Sequence, residues 1–151
     1  MNQVTKFASN VFKTLGSGFS ESVYHNALCV ELRRNGIQYD TERVFPILYH
    51  NQYVGVFRPD LVINPNRYIC DLMEKKIPEI DNHQVTKEQL EITNNQIKNE
   101  TFIVELKAIS KVREPEFTQL RNYLKHKGIS KGLLINFPSS SPNEDIESWE
   151  M

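Results

Sequence analysis

Phe102-Ile103-Val104-Glu105-Leu106-Lys107-Ala108 places an acid and a base inside an otherwise apolar run. Its aromatic and β-branched opening predicts a strand over residues 102–109. Period-two alternation then puts Glu105 and Lys107 on one face, with Val104, Leu106 and Ala108 on the other. Ionisable groups in the middle of a buried strand are costly unless compensated. Taken alone, the triplet has a plainer explanation: a cross-strand surface pair, which is common at this spacing.

Asp60 tilts the balance. The spacing predicts a strand over residues 53–63, and Asp60 sits inside it, between Phe57 and Pro59 on one side and Leu61, Val62 and Ile63 on the other. Aspartate is depleted from strands, so one among such neighbours calls for a partner. Two carboxylates on adjacent strands repel each other, and a divalent cation relieves them. Hard oxygen ligands of this type suit Mg²⁺ or Mn²⁺. A neighbouring lysine can orient a water or offset charge on a phosphoryl transition state. The alternative is a buried Asp60–Lys107 salt bridge.

Around these strands the pattern is mixed. Val4, Phe7, Ala8 and Val11 predict a helix over residues 4–14, broken by Gly16 and Gly18. A second helix starts at Ser20 as N-cap and runs to about Asn35. It carries one apolar row of Val23, Ala27 and Val30 and another of Tyr24, Leu28 and Leu32, with Gly36 as its C-terminal glycine. A strand over residues 41–49 turns at His50-Asn51-Gln52 into the Asp60 strand. Glu114-Pro115-Glu116 opens a further helix that buries Phe117, Leu120 and Leu124 and ends at Gly128. Residues 131–137 read as a short buried strand. The order α, α, β, β, β, α, β describes a mixed α/β layer.

At 151 residues the chain fits one domain with a real core. Cys29 and Cys70 are too few and too far apart for a disulfide framework or a CxxC metal site, so both are expected as reduced, partly buried thiols. No apolar run is long enough to span a bilayer, and residues 1–9 lack the pattern of a secretory signal. The expectation is an intracellular protein, of cytoplasm or nucleus, with no membrane contact. A net charge of −1 gives no global attraction to nucleic acid. Lysines and arginines nevertheless gather after the Glu105 strand, at Lys111, Arg113, Arg121, Lys125, Lys127 and Lys131. Arg121 and Lys125 share a helix face that suits phosphates, although such a face is as often merely solvated.

These residues carry a resemblance. Gly18-Phe19-Ser20-Glu21-Ser22-Val23-Tyr24 matches a GxxExxY signature. Arg58-Pro59-Asp60-Leu61 resembles a "PD" element, and Val104-Glu105-Leu106-Lys107-Ala108 an "ExK" element. Gln119-Leu120-Arg121-Asn122-Tyr123-Leu124 matches a QxxxY motif, and residues 132–137 look like a terminal strand. Over roughly residues 5–138 the chain resembles the small GxxExxY proteins of the RecB-like branch of the PD-(D/E)xK nuclease superfamily. The resemblance implies a restriction-endonuclease-like core, a mixed central sheet flanked by helices in the order α-β-β-β-α-β. It implies a metal-dependent nuclease using Mg²⁺ or Mn²⁺ on a nucleic acid, DNA for preference, with pairing into a homodimer.

It also implies roles. Asp60 and Glu105 are the primary metal ligands, joined by the Leu106 carbonyl. Glu21 is a further acidic ligand or holds water, and Lys107 positions the attacking water or stabilises developing charge. Gln119 and Tyr123, four apart on one helix face, shape the site and contact the nucleic acid, with Arg121 and Lys125 beside them. Tyr24 reads better as a core aromatic with a bonded hydroxyl. The chain departs from the family in one place. Residues 64–100, polar and rich in Asn, Gln and Lys, form an insertion about three times longer than an ordinary connection. The nuclease-like domain is thus expected over residues 1–138, followed by an acidic, exposed tail over 139–151 that Trp149 anchors. The insertion is expected to border the site, as a hairpin through Leu90 and Ile92, or to pair two copies through Tyr68, Leu72 and Ile77. Two other functions compete: a noncatalytic nucleic-acid-binding or assembly module retaining the fold, and an unrelated α/β domain with an internal salt-bridge network.

Overall fold

The structure is a computed structural model that describes residues 3–41, 43–63, 101–127, 129, 131–140 and 145–151. The 64–100 segment, including its expected hairpin and its pairing residues Tyr68, Leu72 and Ile77, lies outside the described residues, as do Cys70 and the helix-ending Gly128.

Two helices come first, α1 (Gln3–Leu15) and α2 (Glu21–Arg34). Val4, Phe7, Ala8 and Val11 are buried as their spacing predicts. On α2 one apolar row fills the core: Tyr24, Leu28 and Leu32 are buried, with Cys29 beside them, while of the other row Ala27 is half-buried against the core and Val23 and Val30 are exposed. The helix ends as Gly36 foretells. Gly36 adopts φ 69° and donates its N–H to the Arg33 carbonyl, and Ile37 N–H reaches back to Leu32. That pair of bonds closes the last turn, and the left-handed position favours glycine.

The strands are β1 (Tyr39–Thr41), β2 (Phe45–Tyr49), β3 (Gln52–Phe57), β4 (Leu61–Ile63), β5 (Phe102–Lys107), β6 (Gly132–Asn136) and β7 (Glu147–Glu150). A third helix, α3 (Glu114–Lys127), joins β5 to β6. The expected turn is present: His50 and Asn51 both have positive φ, at 47° and 63°, and they connect β2 to β3 as a tight hairpin.

Three expectations are corrected. The single strand over residues 53–63 is two strands. Arg58-Pro59 interrupts it, because proline has no N–H for the ladder and restricts the residue before it. Consequently β3 pairs with β2 in a separate two-stranded sheet, whereas β4 joins the main sheet, and Asp60 stands at the bend between them. The strand expected over residues 41–49 is shorter, Phe45–Tyr49, and Thr41 belongs instead with Tyr39 and Asp40 to a separate strand against β4. At the other end, residues 147–150 are not free tail but an edge strand antiparallel to β6. Trp149 does anchor it, edge-on to Phe117 at a centroid distance of 5.1 Å.

The main sheet has the order β1-β4-β5-β6-β7. β5 and β6 are parallel, with α3 as the crossover that parallel pairing requires, and the other neighbours are antiparallel. Both faces are covered. Leu61, Ile63, Val104, Leu106, Leu133 and Ile135 pack on α1 and α2. Val62, Ile103 and Leu134 pack with Leu120 of α3 and with Phe45 and Phe57 of the hairpin. The alternation expected for β5 is therefore real: Val104 and Leu106 face α1 and α2, and Glu105 shares a face with Ile103. Among the described residues no helix is long and apolar enough to cross a membrane.

Candidate active site

Glu105 occupies the centre of this arrangement. It is only 4% exposed, which removes the surface-pair explanation of the Glu105/Lys107 spacing. In the register of β4 with β5, Leu61 lies opposite Val104, so Asp60 arrives beside Glu105 just where the β4 ladder begins. The Asp60 carboxylate accepts the Leu106 backbone N–H at 2.7 Å through Oδ2. Asp60 is thus fixed to the strand that carries Glu105 by a charge-assisted bond.

Glu105 itself is poorly compensated. Among the described residues its buried Oε1 has no hydrogen-bond partner. Its Oε2 faces the Lys107 ammonium at 3.8 Å, an ion pair but too long for a hydrogen bond. Lys107 therefore pairs with Glu105 and not with Asp60, against the salt-bridge alternative. Burial pushes the Glu105 carboxyl up to about 8, and the negative charge of Asp60 adds to this; Lys107 opposes the rise and Glu21 reinforces it. Glu21, at the first turn of α2, is also raised, by burial first; Lys107 opposes that and Asp60 adds to it. Three carboxyls and one lysine from α2, the β3–β4 bend and β5 thus lie within electrostatic reach of one another.

Sequence reasoning overlooked two residues here. His25 follows Glu21 by one helical turn, and its Nε2 lies 3.2 Å from the Asp60 backbone oxygen. The i, i+4 spacing was the only available signal. Asn136, fully buried on β6 opposite Lys107, donates to the Ile109 carbonyl and accepts the Ile109 N–H, at 3.0 and 3.1 Å. It also donates to Glu147 Oε2, tying the exit of β5 to β7.

Tyr24 shows why a glycine and a tyrosine bracket Glu21. Its ring is stacked on Phe137 at 4.4 Å, and its hydroxyl donates to the Gly16 carbonyl and accepts the Phe19 N–H. Gly18 takes φ 95° in the loop so pinned. The loop delivers Glu21 to the start of α2, so Tyr24 is a structural residue, as expected. Tyr24→Phe should cost about 1–2 kcal/mol for the two lost bonds. A drop in melting temperature of a few degrees, measured by circular dichroism, is the expected result; no change would mean the hydroxyl holds nothing.

The QxxxY pair is bonded to itself and packed on the hairpin. Gln119 donates to the Tyr123 hydroxyl at 2.8 Å, and the Tyr123 ring stacks on Phe57 at 4.0 Å. Phe57 in turn stacks on Phe45, so α3 holds the hairpin that leads to Asp60. Arg121 is ion-paired with Glu114 on the exposed face of α3, and Lys125 is exposed. Among the described residues, no hydrogen bond links any of these four to Asp60, Glu105 or Lys107.

A family model described as the PD-(D/E)XK nuclease superfamily matches residues 1–97 and, in a second stretch, 82–148. The chain belongs to the PD-(D/E)XK nuclease superfamily. The two matched stretches overlap inside the 64–100 segment, where the chain is expected to carry its insertion. The mixed α/β fold of the described residues, with a mixed central sheet and three helices, is compatible with such a nuclease. No curated protein and no solved structure matches the chain. Nucleases of this superfamily generally act with divalent metals. Among the described residues, no group of three or more His, Cys, Asp or Glu side chains is drawn together as a ready metal site. The chemistry of the donors nonetheless fits a hard cation: carboxylate oxygens, one of them buried without a partner.

Proposed function

We propose that the chain is a Mg²⁺- or Mn²⁺-dependent deoxyribonuclease that hydrolyses phosphodiester bonds by attack of water. The observation that carries this reading is the buried, unpartnered Oε1 of Glu105 beside the Asp60 carboxylate. Apart from the partial relief given by Lys107, such an arrangement is a cost to the metal-free fold, and a cation is its natural counter-charge. Asp60, Glu105 and the Leu106 carbonyl would hold the ion. A strand residue projects its N–H and C=O from the same edge, so the Leu106 carbonyl leaves β5 on the side where its N–H meets Asp60. Glu21 adds a further carboxylate at the rim. When bound, a divalent ion would polarise the phosphoryl oxygens and activate water.

The remaining residues do the positioning. Lys107 places a fixed positive charge next to Glu105, where it can orient the water or offset charge developing on the phosphoryl group. Gln119 and Tyr123, already bonded to each other, offer a preformed contact for the DNA backbone, with Lys125 exposed nearby on α3 and Arg121 sharing its charge with Glu114. The finer placement in the RecB-like branch, among small GxxExxY proteins, rests on Gly18, Glu21 and Tyr24 and on Gln119 and Tyr123. The role of Tyr24 in delivering Glu21 supports it.

The test is cleavage of single- and double-stranded DNA with Mg²⁺ or Mn²⁺, run beside Glu105→Ala. Wild-type cutting that the variant loses is the expected outcome. Metal binding by the wild type without any cutting would make the chain a noncatalytic module instead.

A further inference from the structure

Asp60 is held from two directions. The Leu106 N–H of β5 fixes its carboxylate, at 2.7 Å from Oδ2. His25 of α2 meets its backbone carbonyl, with Nε2 at 3.2 Å from the oxygen. The carbonyl can only accept, so the bond requires the proton on Nε2. This second tie spans 35 residues and comes from the helix that also carries Glu21, one turn earlier. It acts at a vulnerable place. Asp60 lies on a bend, outside the ladder that begins at Leu61, and the preceding Arg58-Pro59 adds no strand pairing. A carboxylate on such a bend swings with its backbone unless the backbone is fixed independently.

We propose that His25 is a positioning residue: by donating Nε2–H to the Asp60 carbonyl, it holds the Asp60 carboxylate beside Glu105 and sets how tightly the site takes a divalent ion. The proposal rests on the metal-dependent reading above and extends it. His25 need not touch the ion. It couples the α2 end of the site, with Glu21, to the bend, so that the two acids keep a constant separation when the site is loaded. Outer hydrogen bonds of this kind to ligand residues commonly change metal affinity by about 10- to 100-fold.

The experiment is a Mn²⁺ titration of the metal-depleted full chain by calorimetry, with melting curves of the same samples. Four proteins are compared: wild type, His25→Leu, His25→Gln and His25→Asn. The glutamine amide reaches roughly where Nε2 lies, while the shorter asparagine amide does not. Expected are a Mn²⁺ Kd about tenfold weaker for Leu and Asn and within about twofold of wild type for Gln, with the metal-free melting temperature a few degrees lower at most for Leu and Asn, which lose one hydrogen bond, and unchanged for Gln. A merely structural histidine would lower the melting temperature of Leu, Asn and Gln alike. If Leu disturbs the helix, the Gln–Asn difference still decides. Wild-type binding with Gln and Asn equal overturns this proposal and leaves the metal reading standing. No Mn²⁺ binding by the wild type at millimolar concentration overturns both.

Discussion

Glu105→Gln and Asp60→Asn should each abolish cleavage while leaving the fold intact, and the metal-free Glu105→Gln protein should melt higher than the wild type at pH 9. The first half follows from the donor set: each change removes a negative charge from the pair proposed to hold the ion. The fold survives for a specific reason at each position. An asparagine oxygen at position 60 can still accept the Leu106 N–H. A glutamine at 105 keeps the shape of a side chain whose Oε1 makes no hydrogen bond among the described residues.

The second half is a matter of linkage. Folding raises the Glu105 carboxyl from 4.5 to about 8, because the site is buried and faces Asp60. An acid with a raised folded value binds its proton more tightly in the folded state. Its stabilising effect is full below 4.5 and is lost progressively as pH rises towards 8. At about 1.4 kcal/mol per unit, the full loss is on the order of 5 kcal/mol, or roughly 10–20 °C in melting temperature for a chain of this size. Glutamine does not titrate, so the variant escapes that loss. Wild type and variant should melt together near pH 4 and draw apart progressively as pH rises from 4.5 to about 8. Equal melting at pH 9 in the presence of a chelator would mean that Glu105 is not under strain. By the same sign, divalent-ion affinity of the wild type should rise with pH up to about 8, since the ion displaces the Glu105 proton.

What the sequence made legible was local. The alternation of β5, the His50-Asn51 turn, the Gly36 helix end and the crossover helix opened by Pro115 are each decided by neighbours within a few residues, and the fold respects them. Where the chain departs from expectation, a distant partner decides. Residues 53–63 are mainly apolar on both sides of Arg58-Pro59-Asp60, so they read as one strand. Pro59 was a visible breaker, but the consequence that the two halves join different sheets depends on β1, β2 and β5. Glu147-Ser148-Trp149-Glu150 has almost no strand character of its own; the open edge of β6 recruits it. Val23 and Val30 looked as apolar as the row that is buried, and only the direction of packing on α1 separates the two. The site divides in the same way. Glu105, Lys107 and Asp60 stood out because charge is anomalous in a strand. Glu21 sits on a helix, where acids are ordinary, and only the resemblance marked it. Asn136 had no local signal, and His25 had only its spacing from Glu21, since each acts through a contact made across the fold.

Lys107→Ala should lose rate more than metal affinity, and the two effects should separate with pH. Lys107 is a cation and cannot be a ligand, so its removal takes nothing from the set of oxygen donors. Loss of one charged stabiliser of a transition state costs about 3 kcal/mol, or on the order of 100-fold in kcat. Its neighbour complicates the reading at neutral pH. Lys107 lies 3.8 Å from Glu105 and, among the described residues, holds the Glu105 carboxyl down against burial, Asp60 and Glu21. Without it that carboxyl rises further, and at pH 7 the proton competes more strongly with the ion. Apparent metal affinity of the variant should therefore fall at pH 7 and return towards the wild-type value as pH is raised past 9, while kcat stays low at every pH. Measuring Mn²⁺ binding and single-turnover cleavage of the same samples across that range checks both. A variant whose rate recovers together with its metal binding at high pH would show that Lys107 serves only to keep Glu105 ionised. A variant that no longer folds would make it a structural counter-charge.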